Sequence, residues 1–148
     1  MKRSFWRKKT TVPLKKTKLA RKSKSPIRKL QDELWQECRR VADILYPPVN
    51  GITHCYTCDN PVSGSNKQLG HFIPNSISGA YLRYDLRNLR WQCYMCNIHL
   101  SGNGSEFYRR LVKEMGQEYV DGIFADKKRS VKAHDYYLEL LERYKILC

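Results

Sequence analysis

The chain contains 148 residues, with a formal net charge of +14 at pH 7 and a mean hydropathy of -0.66. This length fits one domain, and the sequence offers no apolar stretch long enough to cross a bilayer, which argues against a membrane-spanning protein and against a membrane partner. No run of about seven or more apolar residues follows the basic N-terminus, so we expect no secretory signal and a cytoplasmic location, where cysteines stay reduced.

The positive charge is concentrated at the N-terminus. Residues 1–30 hold thirteen Lys or Arg and no acid, whereas residues 31–148 hold fifteen bases and fourteen acids. A block of like charges with few apolar residues cannot offset the entropy of ordering, so we predict that residues 1–25, the basic arm, are disordered. Its charge and its Phe5 and Trp6 suit nucleic acid, although a solubility tail or a localisation signal would look similar. The candidate DNA contacts in the basic arm are Lys8, Lys9, Lys15 and Lys16.

Three helices are predicted from apolar periodicity. Apolar residues at spacings of three and four indicate a helix over about 28–46, which two prolines end. Ser105 as N-cap and Gly116 as C-terminal stop bound a second helix over about 105–116. The third covers about 130–147, and its apolar stripe should pack on the core or on a second subunit. That stripe comprises Val131, Tyr137 or Leu138, Leu141 and Ile146.

Extended structure is predicted between the first two helices. Residues 52–75 contain short alternating runs, with SGSN at 63–66 as a loop between two extended pieces. Residues 81–93 alternate in their first half, which predicts a strand leading into a cysteine pair. Strands and helices in this order indicate an α+β protein, with residues 26–148 as one domain.

The cysteines carry the most specific signal in the sequence. Four of the six form two Cys-x2-Cys pairs, and two such turns can present four thiolates to one structural zinc ion. The predicted ligands are Cys55, Cys58, Cys93 and Cys96. Thirty-four residues separate the pairs, which is long for a simple zinc ribbon and indicates an insertion. His54 and His99 are weaker candidates to replace a cysteine, and Cys38 and Cys148 are expected to remain free thiols.

The residues around the two pairs resemble a known family of nucleases. CYTC, the GHF at 70–72, Asn88 in RNLRWQC and Asn97 in CYMCN resemble, in this order, the zinc-bearing branch of the HNH, or ββα-metal, nucleases. The chain is also similar to the phage NinG/Rap recombination proteins in CxxC, GHF, QCxxCN and the LSGN at 100–103. The resemblance covers about residues 28–120.

The resemblance implies a zinc-stabilised HNH-like, treble-clef core with flanking helices, in a phage protein that acts inside the bacterial host. It also implies that Asn97 binds a catalytic cation and that Asn88 braces the loop behind a catalytic histidine. A histidine suits the deprotonation of water near neutral pH, so His71 is the candidate general base. Mg²⁺, or Mn²⁺, would stabilise the charge that develops on the phosphate.

One position departs from the pattern of many HNH enzymes. They place an aspartate or a second histidine just before the base, and here that position is Gly70. Either Asn97 holds the cation alone, or a further ligand comes from elsewhere, and a glycine would also let DNA approach closely. The nearest candidates for a further ligand are His99, Asn103 and Glu106. A buried histidine bonded to a backbone carbonyl is the alternative interpretation of His71.

The NinG/Rap resemblance implies a metal-dependent endonuclease that hydrolyses phosphodiesters in branched recombination intermediates, such as Holliday junctions and D-loops. Two alternatives stay open: a non-catalytic zinc module that binds DNA or RNA, and a general nicking HNH endonuclease. Arg83, Arg87 and Arg90 could line a phosphate track in each case, or simply form a solvated face. A resolvase that cuts two strands symmetrically would be expected to act as a homodimer.

Overall fold

A computed structural model describes residues 23–147 of the chain. This part is an α+β structure of five α-helices, four short strands and three single helical turns. The helices are α1 (Pro26–Leu45), α2 (Gly79–Arg83), α3 (Gly104–Met115), α4 (Gln117–Asp126) and α5 (Ala133–Ile146). The strands are β1 (Thr53–His54), β2 (Pro61–Val62), β3 (Gln68–His71) and β4 (Leu89–Gln92). The helical turns are Gly64–Asn66, Leu86–Asn88 and Met95–His99.

Helix α1 begins at Pro26, whose fixed φ and missing N–H suit a first helical position. It starts two residues before the predicted 28–46 and ends one residue earlier. Its buried face repeats at spacings of three and four and packs against α5. That face comprises Leu30, Leu34, Cys38 and Val41. Cys38 is a free thiol whose sulfur donates to the Tyr84 carbonyl at 3.6 Å, and burial raises its pKa.

Helix α5 packs on this buried face of α1. Its buried residues are Tyr137, Leu140, Leu141 and Tyr144. The Tyr144 hydroxyl donates to the Tyr84 carbonyl at 2.8 Å, and Arg40 Nη2 donates to the Tyr144 carbonyl at 2.6 Å. The predicted stripe is therefore corrected: Ile146 is 81% exposed, and Val131 precedes the helix. Since the apolar face of α5 is occupied by α1, it is not the free dimer surface that we had considered.

Helices α3 and α4 form a second core with the residues that follow β3. Its buried members are Phe72, Ile73, Leu82, Phe107, Leu111, Val120 and Ile123. Helix α3 begins after Asn103 at a φ of 49°, so Ser105 lies inside the first turn and is not the N-cap. Gly116 ends α3 at a φ of 88°, in the left-handed range that glycine tolerates. Helix α4 was not predicted, because it begins directly after that glycine and carries Gly122 inside it.

The strands form two antiparallel pairs, β1 with β2 and β3 with β4. In the second pair Gly70 faces Arg90 and His71 faces Leu89. The predicted strand over 81–93 is only partly correct, since its first half is α2 and a helical turn. Asp85 caps that turn by accepting from the Arg87 N–H at 2.9 Å. Among residues 23–147, no helix is both long and apolar enough to cross a membrane.

Candidate metal centre and histidine pocket

Four cysteine sulfurs converge next to the β3–β4 pair. The sulfurs of Cys55, Cys58, Cys93 and Cys96 lie within 4.8 Å of one another, and those of Cys58 and Cys93 are 3.7 Å apart. Tetrahedral zinc with Zn–S bonds of about 2.3 Å separates its sulfurs by about 3.8 Å. The four cysteines can therefore bind one zinc ion, which confirms that the two predicted pairs meet.

The cysteine cluster is closed by protein groups. Cys55, Cys93 and Cys96 are all at most 4% exposed. The Cys96 N–H donates to Cys93 Sγ at 3.4 Å, and Asn103 Nδ2 donates to Cys96 Sγ at 3.8 Å. Donors of this kind stabilise thiolate ligands. The two histidines considered as substitutes are not among the clustered groups.

His71 is the last residue of β3, and its ring is held on two sides. It stacks on Trp35 of α1 with a centroid separation of 5.6 Å and an interplanar angle of 8°. Its Nε2 lies 2.8 Å from the Arg83 carbonyl oxygen. Because a carbonyl can only accept, Nε2 carries the hydrogen, and the other ring nitrogen, Nδ1, remains free to accept a proton.

Burial keeps the His71 ring uncharged at neutral pH. It lowers the pKa of His71 from the ordinary value of 6.5, and the bond to the Arg83 carbonyl offsets only part of that shift. The carbonyl bond is the feature that we had expected of an ordinary buried histidine. It equally fixes the tautomer that a general base requires, so the bond alone does not separate the two interpretations.

A pocket of about 340 Å³ opens beside this ring. We call it the His71 pocket; it is lined by groups from α1, β3, α2 and the helical turn after the second cysteine pair. The lining residues are Arg28, Gln31, Asp32, Trp35, Leu69, His71, Asn75, Arg83, Tyr84 and Asn97. The structure thus brings together the predicted base, the predicted cation ligand and one predicted arginine.

Asn97 is placed in this pocket by the second cysteine pair. It follows Cys96 directly, in the helical turn Met95–His99. Its Nδ2 donates to Gln68 Oε1 at 2.8 Å, which leaves Oδ1 available to a cation. That Oδ1 lies 3.0 Å from the position that a Cβ would take on Gly70. The Asn97 oxygen therefore lies next to the residue that precedes His71.

Gly70 is required by internal packing. A Cβ at this position would lie 1.9 Å from Gln92 Oε1. Gln92 is fully buried, and its Nε2 donates to Thr57 Oγ1 at 3.1 Å and to the Gly102 carbonyl at 2.8 Å. Position 70 therefore cannot carry a metal-binding side chain without displacing Gln92, and close approach of DNA is not needed to explain the glycine.

The further ligands that we considered do not line the His71 pocket. His99 packs on Tyr94, Asn103 contacts Cys96, and Glu106 accepts from Arg109 and Arg110. The acidic residue in the lining is Asp32 of α1, which the sequence analysis missed. Its hydrogen bond from Lys24 lowers its pKa, so it is ionised at neutral pH. The sequence contained a signal for Asp32, because it lies three residues before Trp35 and therefore on the same face of the predicted helix.

Asn88 lies beneath the pocket and is fully buried. Its Oδ1 accepts from the Ile73 N–H at 2.7 Å, and its Nδ2 donates to the carbonyls of Ile73 and Leu82 at 3.1 and 3.2 Å. These bonds tie the segment after His71 to the helix that ends at Arg83. The role of Asn88 as a brace behind a catalytic histidine stays a prediction.

The three predicted arginines do not share one surface. Arg83 lines the His71 pocket, whereas Arg87 pairs with Asp85 and Asp126 at 2.6 and 2.7 Å. Arg90 is 3% exposed, and its guanidinium lies 4.3 Å from the Tyr46 ring centroid. A side chain so buried cannot line a phosphate track, so we remove Arg90 from the candidate contacts. Most of the basic arm lies outside the described residues, and so does Cys148. The part outside includes the predicted DNA contacts Lys8, Lys9, Lys15 and Lys16.

Comparison with known proteins identifies the family. The chain is 33% identical over 75 residues to "Protein ninG" of Escherichia phage 933W and 32% identical over 75 residues to that of Escherichia phage lambda. Each alignment covers 51% of this chain and 36% of the relative, so the matched region spans about a third of those proteins. "Protein ninG" of Enterobacteria phage H19B is 38% identical over 60 residues, which are 40% of this chain and 29% of that protein.

No solved structure matches the chain. The family model described as "NinG: Bacteriophage Lambda NinG protein" matches residues 1–148, and the chain therefore belongs to the NinG family.

Proposed function

We propose that the protein is a metal-dependent DNA endonuclease of the HNH type that hydrolyses phosphodiesters in branched recombination intermediates. One observation carries the proposal: the Arg83 carbonyl fixes the tautomer of His71 in a pocket that also contains Asn97 and Asp32. A base with a free ring nitrogen, next to two side chains whose oxygen atoms can bind a cation, suits metal-assisted hydrolysis. The β3–β4 pair followed by Met95–His99 is consistent with a ββα-metal arrangement.

In this mechanism His71 accepts the proton of the attacking water at Nδ1. Trp35 and the Arg83 carbonyl hold the ring so that it does not turn. Asn97 and Asp32 would hold a divalent cation by oxygen atoms, as Mg²⁺ and Mn²⁺ prefer. The cation, when bound, stabilises the charge on the phosphate and on the leaving oxygen. The Arg83 guanidinium, which lines the same pocket, contacts a phosphate next to the scissile one.

The choice of branched DNA rests on the resemblance to phage recombination proteins. On this proposal the enzyme acts in the host cytoplasm, and the basic arm adds affinity for DNA that does not depend on sequence. Symmetric cutting of a Holliday junction would require two active sites, which a two-fold dimer supplies.

The test is a cleavage assay with Mg²⁺ on a labelled four-way junction and on a linear duplex of the same sequence. We expect the wild type to cut the junction, and both His71→Ala and Asn97→Ala to abolish cutting while DNA binding persists. Loss of a general base alone typically costs a factor of about 10² to 10⁴. Equal cutting of both substrates would identify a general nicking enzyme.

The matched control is His134→Ala, because His134 is 58% exposed and does not line the His71 pocket. It should leave the cleavage rate unchanged. Thermal unfolding and zinc content verify that each variant is folded, since His71→Ala also removes the stack with Trp35. Full activity of folded His71→Ala would refute the mechanism, and no cutting by the wild type with any divalent metal would favour a binding module.

A further inference from the structure

Within residues 23–147, two arginines differ from the others in having no acidic partner in that part of the chain. Among the arginines of residues 23–147, every one except Arg39 and Arg83 has a carboxylate oxygen within 4.0 Å. Arg83 lies against the Tyr84 ring at 5.5 Å, and Arg39 lies against the Trp91 ring at 5.2 Å. These contacts orient each guanidinium without neutralising it. Both charges therefore remain available to an anion.

The two unpaired arginines lie in neighbouring pockets. Arg83 lines the His71 pocket, and Arg39 lines a second pocket of about 350 Å³, which also contains Lys67. Trp35, Leu69 and Asn97 line both pockets. The pockets are therefore adjacent parts of one groove, with the proposed cation ligand Asn97 at their junction.

Helix α1 forms one wall of this groove along much of its length. Arg28, Trp35 and Arg39 are seven and four residues apart, which places them on one face of the helix, next to the face that packs on α5. Eleven residues of α helix extend about 17 Å. One DNA strand carries a phosphate about every 3.4 Å along the axis, so this wall has the length of about five phosphates.

We infer that this face of α1 binds the DNA strand that is cut, with Arg83 and Arg39 contacting the phosphates on opposite sides of the scissile one. Neither Arg39 nor α1 was assigned a role by the sequence. The inference rests on the proposed function for the position of the scissile phosphate. The binding of a strand along α1 does not require that cleavage occurs.

The test measures binding in the full chain carrying His71→Ala, so that substrate is not consumed. We expect Arg39→Gln to weaken binding of the four-way junction roughly tenfold and to reduce the slope of log affinity against log salt by about one. Arg39→Lys keeps a charge and should keep the salt slope. The matched control is Arg143→Gln, because Arg143 is 60% exposed on α5 and pairs with Glu139.

In the catalytically intact chain, Arg39→Gln should raise KM and leave kcat unchanged, because Arg39 contacts a phosphate that does not react. If Arg39→Gln binds as tightly as Arg143→Gln, or if Arg39→Lys loses the salt slope as well, the strand-binding inference is wrong. If the wild type never cuts DNA but the Arg39 effect on binding remains, the proposed function fails, and the binding of a strand along α1 stands without a scissile phosphate. A wild-type chain that binds no DNA at low salt overturns both.

Discussion

The cysteine cluster and the His71 pocket are neighbours, because Asn97 of the pocket directly follows Cys96 of the cluster, but they are built differently. In the cluster, four cysteine sulfurs, three of them from buried residues, can fill the whole coordination sphere of a zinc ion, which is typical of a structural site. In the pocket, the imidazole of His71, the amide of Asn97 and the carboxylate of Asp32 are among the groups that line an open cavity. A filled site has no position for a reactant, whereas an open site does. Damage to the first should unfold the protein, and damage to the second should spare the fold.

The largest effect should follow loss of the zinc ion. Structural zinc contributes about 10–16 kcal/mol of apparent binding energy in small zinc domains, which is folding energy. Cys93→Ser, or a strong chelator, should therefore remove the cooperative unfolding transition and the bound zinc. Calorimetry and metal analysis measure both.

The matched control for Cys93→Ser is Cys38→Ala, because Cys38 is also fully buried but lies outside the cluster. It should keep its zinc and lose only a small amount of stability, since one sulfur is deleted from the core. A metal-free protein that unfolds like the wild type would contradict a structural role for the four cysteines.

A smaller effect is expected of Asn88→Ala, which damages the support of the pocket and not the cysteine cluster. The substitution leaves the Ile73 N–H without its partner, so we expect a loss of about 2–4 kcal/mol in the free energy of unfolding, measured by denaturant titration. Zinc content should stay at the wild-type level.

The control for Asn88→Ala is Asn75→Ala, an exposed asparagine in the same segment, which should change stability by less than about 0.5 kcal/mol. If Asn88→Ala released zinc, the His71 pocket and the cysteine cluster would not be independent, and the contrast between them would fail.

The smallest effect is a pH dependence confined to the His71 pocket. Burial lowers the pKa of His71 in the folded protein below its unfolded value of 6.5. The resulting stability is fully present above pH 6.5 and is lost as the pH falls from there towards the folded pKa. Each unit of difference corresponds to about 1.4 kcal/mol.

The measurement is the Tm of the wild type and of His71→Gln above and below pH 6.5. The variant lacks this titration, so the gap between the two proteins should narrow as the pH falls. A gap that is constant, or that widens in acid, would mean that the pKa of His71 is not lowered by folding. In the cleavage assay, the rate should rise with pH with a midpoint below pH 6.5, because the neutral ring is the base.

The sequence predicted the parts of the molecule in which neighbouring residues act together. The Cys-x2-Cys spacing led to the four sulfurs that the structure brings together, and apolar periodicity led to α1, α3 and α5. The strand predicted in YLRYDL was wrong because that alternation reflects burial of Leu82 and Tyr84 from a short helix and a turn. The alternation of apolar residues alone does not distinguish a strand from a short helix followed by a turn.

The parts that were missed depend on contacts between distant segments. Trp35 and Asp32 lie about forty residues before His71 in sequence, and only the packing of α1 on β3 brings them to one pocket. Arg90 looked like a surface arginine until two tyrosines enclosed it. Gly70 is required because Gln92 occupies the space that a Cβ would need. Gln92 lies two positions after Arg90, the strand partner of Gly70, and no sequence motif marks this contact.

Arg83 contributes to the pocket by two groups that substitution affects differently. Its carbonyl holds His71, and its side chain lines the His71 pocket. Any residue at position 83 that keeps the backbone path supplies the same carbonyl, whereas the guanidinium is supplied by arginine alone. An engineer could therefore change the charge presented to the substrate at this position and keep the orientation of the proposed base, which makes position 83 the natural starting point for altering substrate choice.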